Sequence, residues 1–350
     1  MTWPWIFYIN APVGVLAALV TWGIFRHRES PRHALPIDSV GLGLLVVWVA
    51  SMQIMLDIGK EHDWFESPLV VGCAVVAAIG FAAFMIWELG DKHPVVDLTL
   101  FKIRNFWAGA IATSFGYGVF FGNVVLLPLW LQQFMGYTAT QAGEVLAPVG
   151  LLALVLSPIV GRTVTKADPR QYATISFLVF ALVLWMRSRF NTQADVVTIL
   201  IPTVIQGIAM AFFFIPLVTI TLSEVHGPRI PSASGLSNFM RITAGAIGTS
   251  VSTTLWERRA TMHHVHLVET LQQGNSTLAQ TLQGLQAAGL SQQQALGQVE
   301  LLLNQQAFML AANDIFYASA LIFLLLIPLI WLAHRPHASE GSAEAAAGAH

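Results

Sequence analysis

Long apolar stretches alternate with short polar ones along this chain, and nine of the apolar stretches approach or exceed the length of a membrane span. They cover approximately 5 to 25, 38 to 58, 67 to 89, 105 to 131, 140 to 161, 171 to 187, 194 to 221, 232 to 256 and 307 to 333. A helix needs about 20 mostly apolar residues to cross a hydrocarbon core of about 30 Å. None of the stretches alternates like a strand, and their isolated Pro and Gly residues are of the kind that membrane helices tolerate. The pattern predicts an all-α polytopic membrane protein.

The polar stretches are informative in two places. Residues 257 to 306 are rich in Gln and poor in apolar runs, yet they keep helical grammar. Leu278, Leu282 and Leu285 share one helix face, Gly289 is placed to end that helix, and Ser291 with Gln294 makes a capping box for the next. Two or three short amphipathic helices outside the membrane are expected there. The tail from 337 to 350, mostly Ala, Gly, Ser and Glu, cannot bury a core and is expected to be disordered.

Composition agrees with the pattern. Apolar residues are 55% of the chain and charged residues 10%, against about 25% charged in soluble domains. The single Cys73 falls inside a span, which excludes an intramolecular disulfide and leaves it the role of a small buried hydrophobe. The distribution of basic residues sets an orientation. With the first connection cytoplasmic, the inner segments hold Arg26, Arg28, Arg32, Lys92, Lys102, Arg104, Arg162, Lys166, Arg170, Arg229 and Arg335. The outer segments hold only Lys60, Arg187, Arg189, Arg258 and Arg259. The bias predicts a periplasmic start and a cytoplasmic C-terminus in a bacterial inner membrane. No phosphate-binding loop, nucleophile elbow or HExxH motif occurs, so ATP-driven pumping and membrane proteolysis find no support.

Ionisable groups within spans cost at least about 2.5–3.5 kcal/mol and ask for a reason. Arg241 is the first candidate for proton coupling or gating. It follows Asn238 and precedes Gly245, Gly248 and Ser252 at steps of three and four, so these residues share one polar, small-residue face. Such a face suits close helix packing or a cavity wall; the alternative is an arginine that snorkels to the interface. Asp314 is placed roughly two turns into the last span, and Glu144 in the first turn of its helix, where its charge suits the N-terminus. Asp38 and Asp57 read as caps at span ends. For substrate contact, Tyr117, Phe120, Phe121 and Asn123 on the fourth span join Gln206, Met210, Phe213 and Phe214 on the seventh. Aromatic, Met and amide side chains suit a permissive pocket for hydrophobic or cationic drug-like compounds, although the same residues also pack against lipid or neighbouring helices. Pro128, Pro148, Pro158, Pro202 and Pro216 are expected to kink their spans. His263, His264 and His266 lack a Cys or paired carboxylate at ligand spacing, so they are read as a solvated loop with no metal.

Several strings stand in a telling order. Asp38-Ser-Val-Gly41 opens the second span, and Leu56-Asp57-Ile-Gly59-Lys60 closes it. His93-Pro94-Val-Val-Asp97-Leu98 and Arg104-Asn105-Phe106 precede the fourth. Leu127-Pro128-Leu-Trp130, Gly136-Tyr137, Ser157-Pro158-Ile-Val-Gly161-Arg162, Gln206-Gly207, Phe214-Ile-Pro216 and Ser234-Gly235-Leu-Ser-Asn238-Phe239-Met-Arg241 follow. In this order they resemble the EmrB/QacA-like fourteen-span drug:proton antiporters of the major facilitator superfamily. Met262-His263-His264 and Leu290-Ser291-Gln292-Gln293-Gln294-Ala295 look specifically like the EmrB type.

The resemblance implies proton-coupled multidrug efflux with no cofactor beyond the proton gradient. It implies an EmrA-like periplasmic adaptor and a TolC-like outer-membrane channel as partners, alongside protons, lipid and drug-like substrates, with no nucleic acid. It also implies about five further helices upstream of the aromatic entry Trp3-Pro4-Trp5, carrying the superfamily's first loop motif and principal proton-coupling carboxylates. On that reading 1–25 is the last helix of an N-terminal domain, 26–104 an extra central pair with linkers, 105–336 a six-helix C-terminal domain with its outer loop at 257–306, and 337–350 a cytoplasmic tail. Gly161-Arg162-Thr-Val-Thr165-Lys166 resembles a second copy of the loop motif, with Thr165 where an acid is expected. Glu144 stands where the family more often has an apolar residue. Two other readings stay open: a non-transporting membrane fragment, and an exporter of a physiological solute.

Overall fold

The structure is a computed structural model that describes residues 4, 8–26, 38–91, 94–164, 166–272 and 276–335. Expectations on Trp3, Trp5, Arg28, Arg32, Lys92, His93, Thr165 and the tail 337–350 lie outside the described residues. The described residues contain helices and no strand. In chain order these are α1 (Asn10–Phe25), α2 (Ser39–Ile58), α3 (Pro68–Gly90), α4 (Arg104–Phe134), α5 (Ala139–Thr163), α6 (Pro169–Arg187), α7 (Val196–Ala211), α8 (Phe214–Leu222), α9 (Ile230–Gln272), α10 (Ser276–Ala287) and α11 (Gln292–Trp331).

Among the described residues, seven segments are long and apolar enough to cross a membrane: α2 to α6, α7 with α8 as Val196–Leu222, and α11. At 16 residues α1 is shorter, and every described residue of it is exposed. In α9 the Ser, Thr and Gly residues dilute the hydropathy, although the helix packs lengthwise against α4 and α11. The seventh predicted span is broken at Phe212 and Phe213. Pro216 has no N–H for the Phe212 carbonyl, and Phe213 turns back to Met210 with an i−3 bond of 3.2 Å, so α8 starts afresh.

The region 257 to 306 differs from expectation. Instead of separate short helices, α9 runs on to Gln272 and α11 starts at Gln292, with only α10 between them as an independent element. The reason is local: residues 249 to 272 contain neither Gly nor Pro, so nothing stops α9 at the end of its apolar part. Gly289, at φ +96°, follows α10, and Ser291 with Gln294 forms the expected reciprocal capping box of α11.

The core is aromatic and centred on α4, α6, α8 and α11. Phe180 stacks on Phe323 with centroids 4.7 Å apart and meets Phe213 edge-on at 5.7 Å. Along the α4–α9 seam the backbones almost touch. A Cβ on Gly248 would fall 2.1 Å from the Gly118 carbonyl oxygen, and one on Gly118 would fall 2.6 Å from that of Ala244. Small residues permit such an approach, and dispersion across the seam is the gain.

One end of the bundle is stitched by polar side chains. Asn105 donates to Ser223 Oγ at 2.8 Å and accepts from the His334 amide at 2.6 Å. Arg170 donates to the Ala333 carbonyl at 3.1 Å, lies 4.9 Å over the Trp331 ring and pairs with Asp168 at 2.7 Å. Asp97, which caps the 3-10 turn ahead of α4, pairs with Arg229 at 2.8 Å. Burial acts to raise the Asp168 carboxyl pKa, but the hydrogen bonds and charge of Arg170 outweigh it and hold the group below its ordinary 3.8. A depressed folded value stabilises above the unfolded value, and that contribution is lost as pH falls through the folded one. The melting temperature of the protein should therefore fall on acidification below about pH 4, and Asp168→Asn should flatten that fall. At neutral pH Asp168→Ala should cost about 1–2 kcal/mol through loss of the α6 cap, read by thermal unfolding in detergent.

Candidate functional site: an arginine among aromatic rings

Arg241 is the twelfth residue of α9, about 17 Å along the helix from its start at 1.5 Å per residue. Its guanidinium lies 5.3 Å from the centroids of both Tyr117 on α4 and Phe214 on α8. Nη2 donates to Asn238 Oδ1 at 2.6 Å, while Nε is buried without a partner. Among the described residues no carboxylate lies within ion-pair distance of it. Arg241 lines one cavity, and its ring partner Tyr117 lines a second. The first, of about 450 Å³, is lined by Thr113, Thr221, Ser234, Asn238 and Arg241, and is polar on part of its wall. The other, of about 560 Å³, is lined by Gln53, Asp57, Tyr117, Phe121 and Thr249.

The polar, small-residue face of α9 therefore divides its work. Gly245, Gly248 and Ser252 pack on Tyr117, Gly118 and Gly122 of α4, whereas Asn238 and Arg241 open to the cavity. Tyr117, Phe121 and Phe214 join Arg241 at this site, Tyr117 and Phe121 with centroids 4.3 Å apart. The structure places the other aromatic and amide candidates elsewhere. Phe120 and Phe213 are buried in the aromatic core, with Met210 packed against it. Asn123 donates to Ser319 Oγ at 2.9 Å and ties α4 to α11.

Gln206 accepts a 2.6 Å hydrogen bond from Arg187, which the sequence reading counted with the outer segments and which the fold buries. It is 1% exposed, and its head also reaches Thr203 at 3.4 Å. Gln206 and Thr203 lie on α7, 19 and 16 residues away, so only the folded chain reveals the pair. Glu88, overlooked in the sequence, is 4% exposed on α3 and accepts from the Val96 amide at 3.3 Å. Glu144 is exposed and is the sixth residue of α5, just past its first turn, because α5 starts at Ala139 behind a Thr138–Gln141 capping box. Asp314 lies about six turns into α11 because the helix starts at Gln292, and it is still about two turns in from residue 307, where the apolar stretch begins. It meets His263 Nε2 at 2.8 Å, so His263 is part of α9 and paired across helices instead of lying in a solvated loop. Among the described residues no group of three or more potential metal ligands forms.

Membrane-length helices packed around a part-polar, arginine-bearing cavity define the class of polytopic membrane proteins. The family model for the Major Facilitator Superfamily matches residues 1–249. The chain is 45% identical over 97% of its length to the multidrug export protein EmrB of Escherichia coli K12, covering 66% of that protein. It is 44% identical over 97% of its length to the fatty acid resistance protein FarB of Neisseria gonorrhoeae, covering 67% of it. A probable multidrug resistance protein, EmrY of Escherichia coli K12, is 37% identical over 97% of the chain and covered to 67%. The chain belongs to the major facilitator superfamily and is EmrB-like within it. It spans about two thirds of the length of these relatives.

Proposed function

We propose that this chain works in proton-coupled export of hydrophobic and amphiphilic drug-like compounds across a bacterial inner membrane. The observation that carries the reading is Arg241: a half-buried cation framed by aromatic rings beside a cavity, with no carboxylate of its own among the described residues. Such a group can take the polar head of an amphiphile, or a carboxylate presented by a facing domain, while Tyr117, Phe121 and Phe214 take the apolar body. The relatives' names, multidrug export and fatty acid resistance, support this class of compound. Asp314 and Glu144 remain the candidates for protonation in this part of the molecule. The basic end of the bundle, with Arg104, Arg162, Arg170 and Arg229, is proposed as the cytoplasmic face. The helical extensions of α9 and α11 with α10 would then be periplasmic, where an EmrA-like adaptor leading to a TolC-like channel could dock.

The test is drug accumulation in a pump-deficient bacterium expressing the full-length protein with its adaptor. Lower accumulation of a hydrophobic dye, restored when the proton gradient is collapsed, is expected. Accumulation equal to that of the empty host would overturn the reading.

A further inference from the structure

At the end of the bundle opposite the polar stitching, α9 and α11 run on side by side, and three charged contacts join them. His263 Nε2 is 2.8 Å from Asp314 Oδ2, Arg259 Nη1 is 3.6 Å from the same oxygen, and His264 Nε2 is 2.9 Å from Glu300 Oε1. Next to these pairs lies an aromatic plug. Trp256 donates its indole N–H to the Phe308 carbonyl at 2.8 Å, and Phe308 stacks on Phe134 with centroids 4.5 Å apart. Two adjacent histidines thus reach two acids on different turns of the facing helix.

We propose that His263 and His264 make this junction a proton-responsive clasp between α9 and α11. Histidine is the side chain whose ordinary titration falls between about pH 5 and 8. As an imidazolium, each ring gives its carboxylate a charge-assisted hydrogen bond, roughly twice as strong as one from a neutral donor. With both rings protonated, three cations face two carboxylates and the clasp is closed. With both neutral, Asp314 is left to Arg259 as its only cation, Glu300 keeps only the neutral donors His264 and Asn304, the latter at 3.1 Å from its own helix, and the clasp slackens.

The surroundings leave this chemistry to the histidines. The other charged groups near the junction are the Lys60–Glu257 pair at 2.7 Å, the exposed Arg258, and the His266–Glu269 contact at 3.6 Å further along α9. From α4 the junction meets Phe134, whose carbonyl accepts from Gln305. From the α6–α7 connection it meets the Phe190 carbonyl, which accepts from Asn313 at 2.9 Å, and Thr192, which accepts from Gln306 at 2.7 Å. The sequence of α10 contains no titratable side chain.

The clasp can be measured without any transport, so its failure and that of the export reading are separable. Spin labels at exposed Val265 and Leu302, in the full-length protein with Cys73 and any other native cysteine replaced by Ala, report the α9–α11 distance by pulsed electron resonance. The expected result is a narrow distribution at about pH 5.5 that widens and shifts to longer distance at about pH 8. The His263→Gln/His264→Gln protein, which keeps amide donors but cannot titrate, should lose that shift. Each single Gln variant should keep part of it, which guards against a double variant that fails to fold. Identical wild-type distributions at both pH values, or a full pH shift in the double variant, would overturn the proposal.

Discussion

Arg241→Ala should abolish export while leaving the protein in the membrane at its normal level. The guanidinium makes one side-chain hydrogen bond, to Asn238, and faces two rings at 5.3 Å, with no ion pair to break. Its removal costs the fold a cation–π interaction of about 0.5–2 kcal/mol and leaves Asn238 beside a cavity where water can replace the lost partner. The cost to transport is larger, because Arg241 is the cation at the cavity wall. A charge-assisted contact to a substrate head or facing carboxylate is worth about 1.5–3 kcal/mol, which is about 10-fold or more in affinity. Arg241→Lys keeps the charge but loses the planar group that lies over Tyr117 and Phe214, so it should retain a fraction of the activity. Drug accumulation, normalised to protein detected in the membrane, checks both variants. Full activity in Arg241→Ala would remove this residue from the site.

Gly248→Leu has the largest expected effect on the fold itself. A single Cβ at this position would already meet the Gly118 carbonyl oxygen at 2.1 Å, and that contact is with backbone, which cannot rotate aside. Three further carbons must push α4 and α9 apart over the seam that also holds Gly122 against Ser252 and Gly245 against Tyr117. Overpacking of a close-packed interior costs about 1–3 kcal/mol, and more where backbone is the obstacle. The expected readouts are a lower melting temperature in detergent and reduced protein in the membrane. Gly43→Leu, on α2 at a position where a Cβ meets nothing within 4 Å, should change neither. Because Tyr117 and Arg241 sit on the same two helices, Gly248→Leu should also lose export in whatever protein remains.

Seven of the nine predicted spans were legible because length and apolar content suffice to identify them, and the capping box at Ser291 and Gln294 because it is a contact between residues three apart. The extent of α9 was less legible. Sequence polarity marks where lipid contact ends, but a helix ends only where a breaker or competing cap stands, and 249 to 272 offers neither Gly nor Pro. The aromatic candidates could be named but not sorted. Phe120 and Phe121 are neighbours, yet one is buried in the core and the other lines a cavity, because adjacent helix positions point about 100° apart. The contacts that matter most at the two ends were out of reach. His263 and Asp314 are 51 residues apart, and Arg187 meets its amide from another helix. His263 looked like a loop residue, since polar side chains beyond a span end usually face water.

The central proposal is that this EmrB-like chain exports drug-like compounds at the cost of the proton gradient through a cavity that includes Arg241. The most direct measurement is dye uptake into everted membrane vesicles containing the full-length protein, with an acidic interior as the only driving force. Uptake that stops when the gradient is collapsed, and that is absent from Arg241→Ala vesicles of equal protein content, is the predicted result. Uptake unaffected by collapse of the gradient, or undiminished in the variant, would contradict the account.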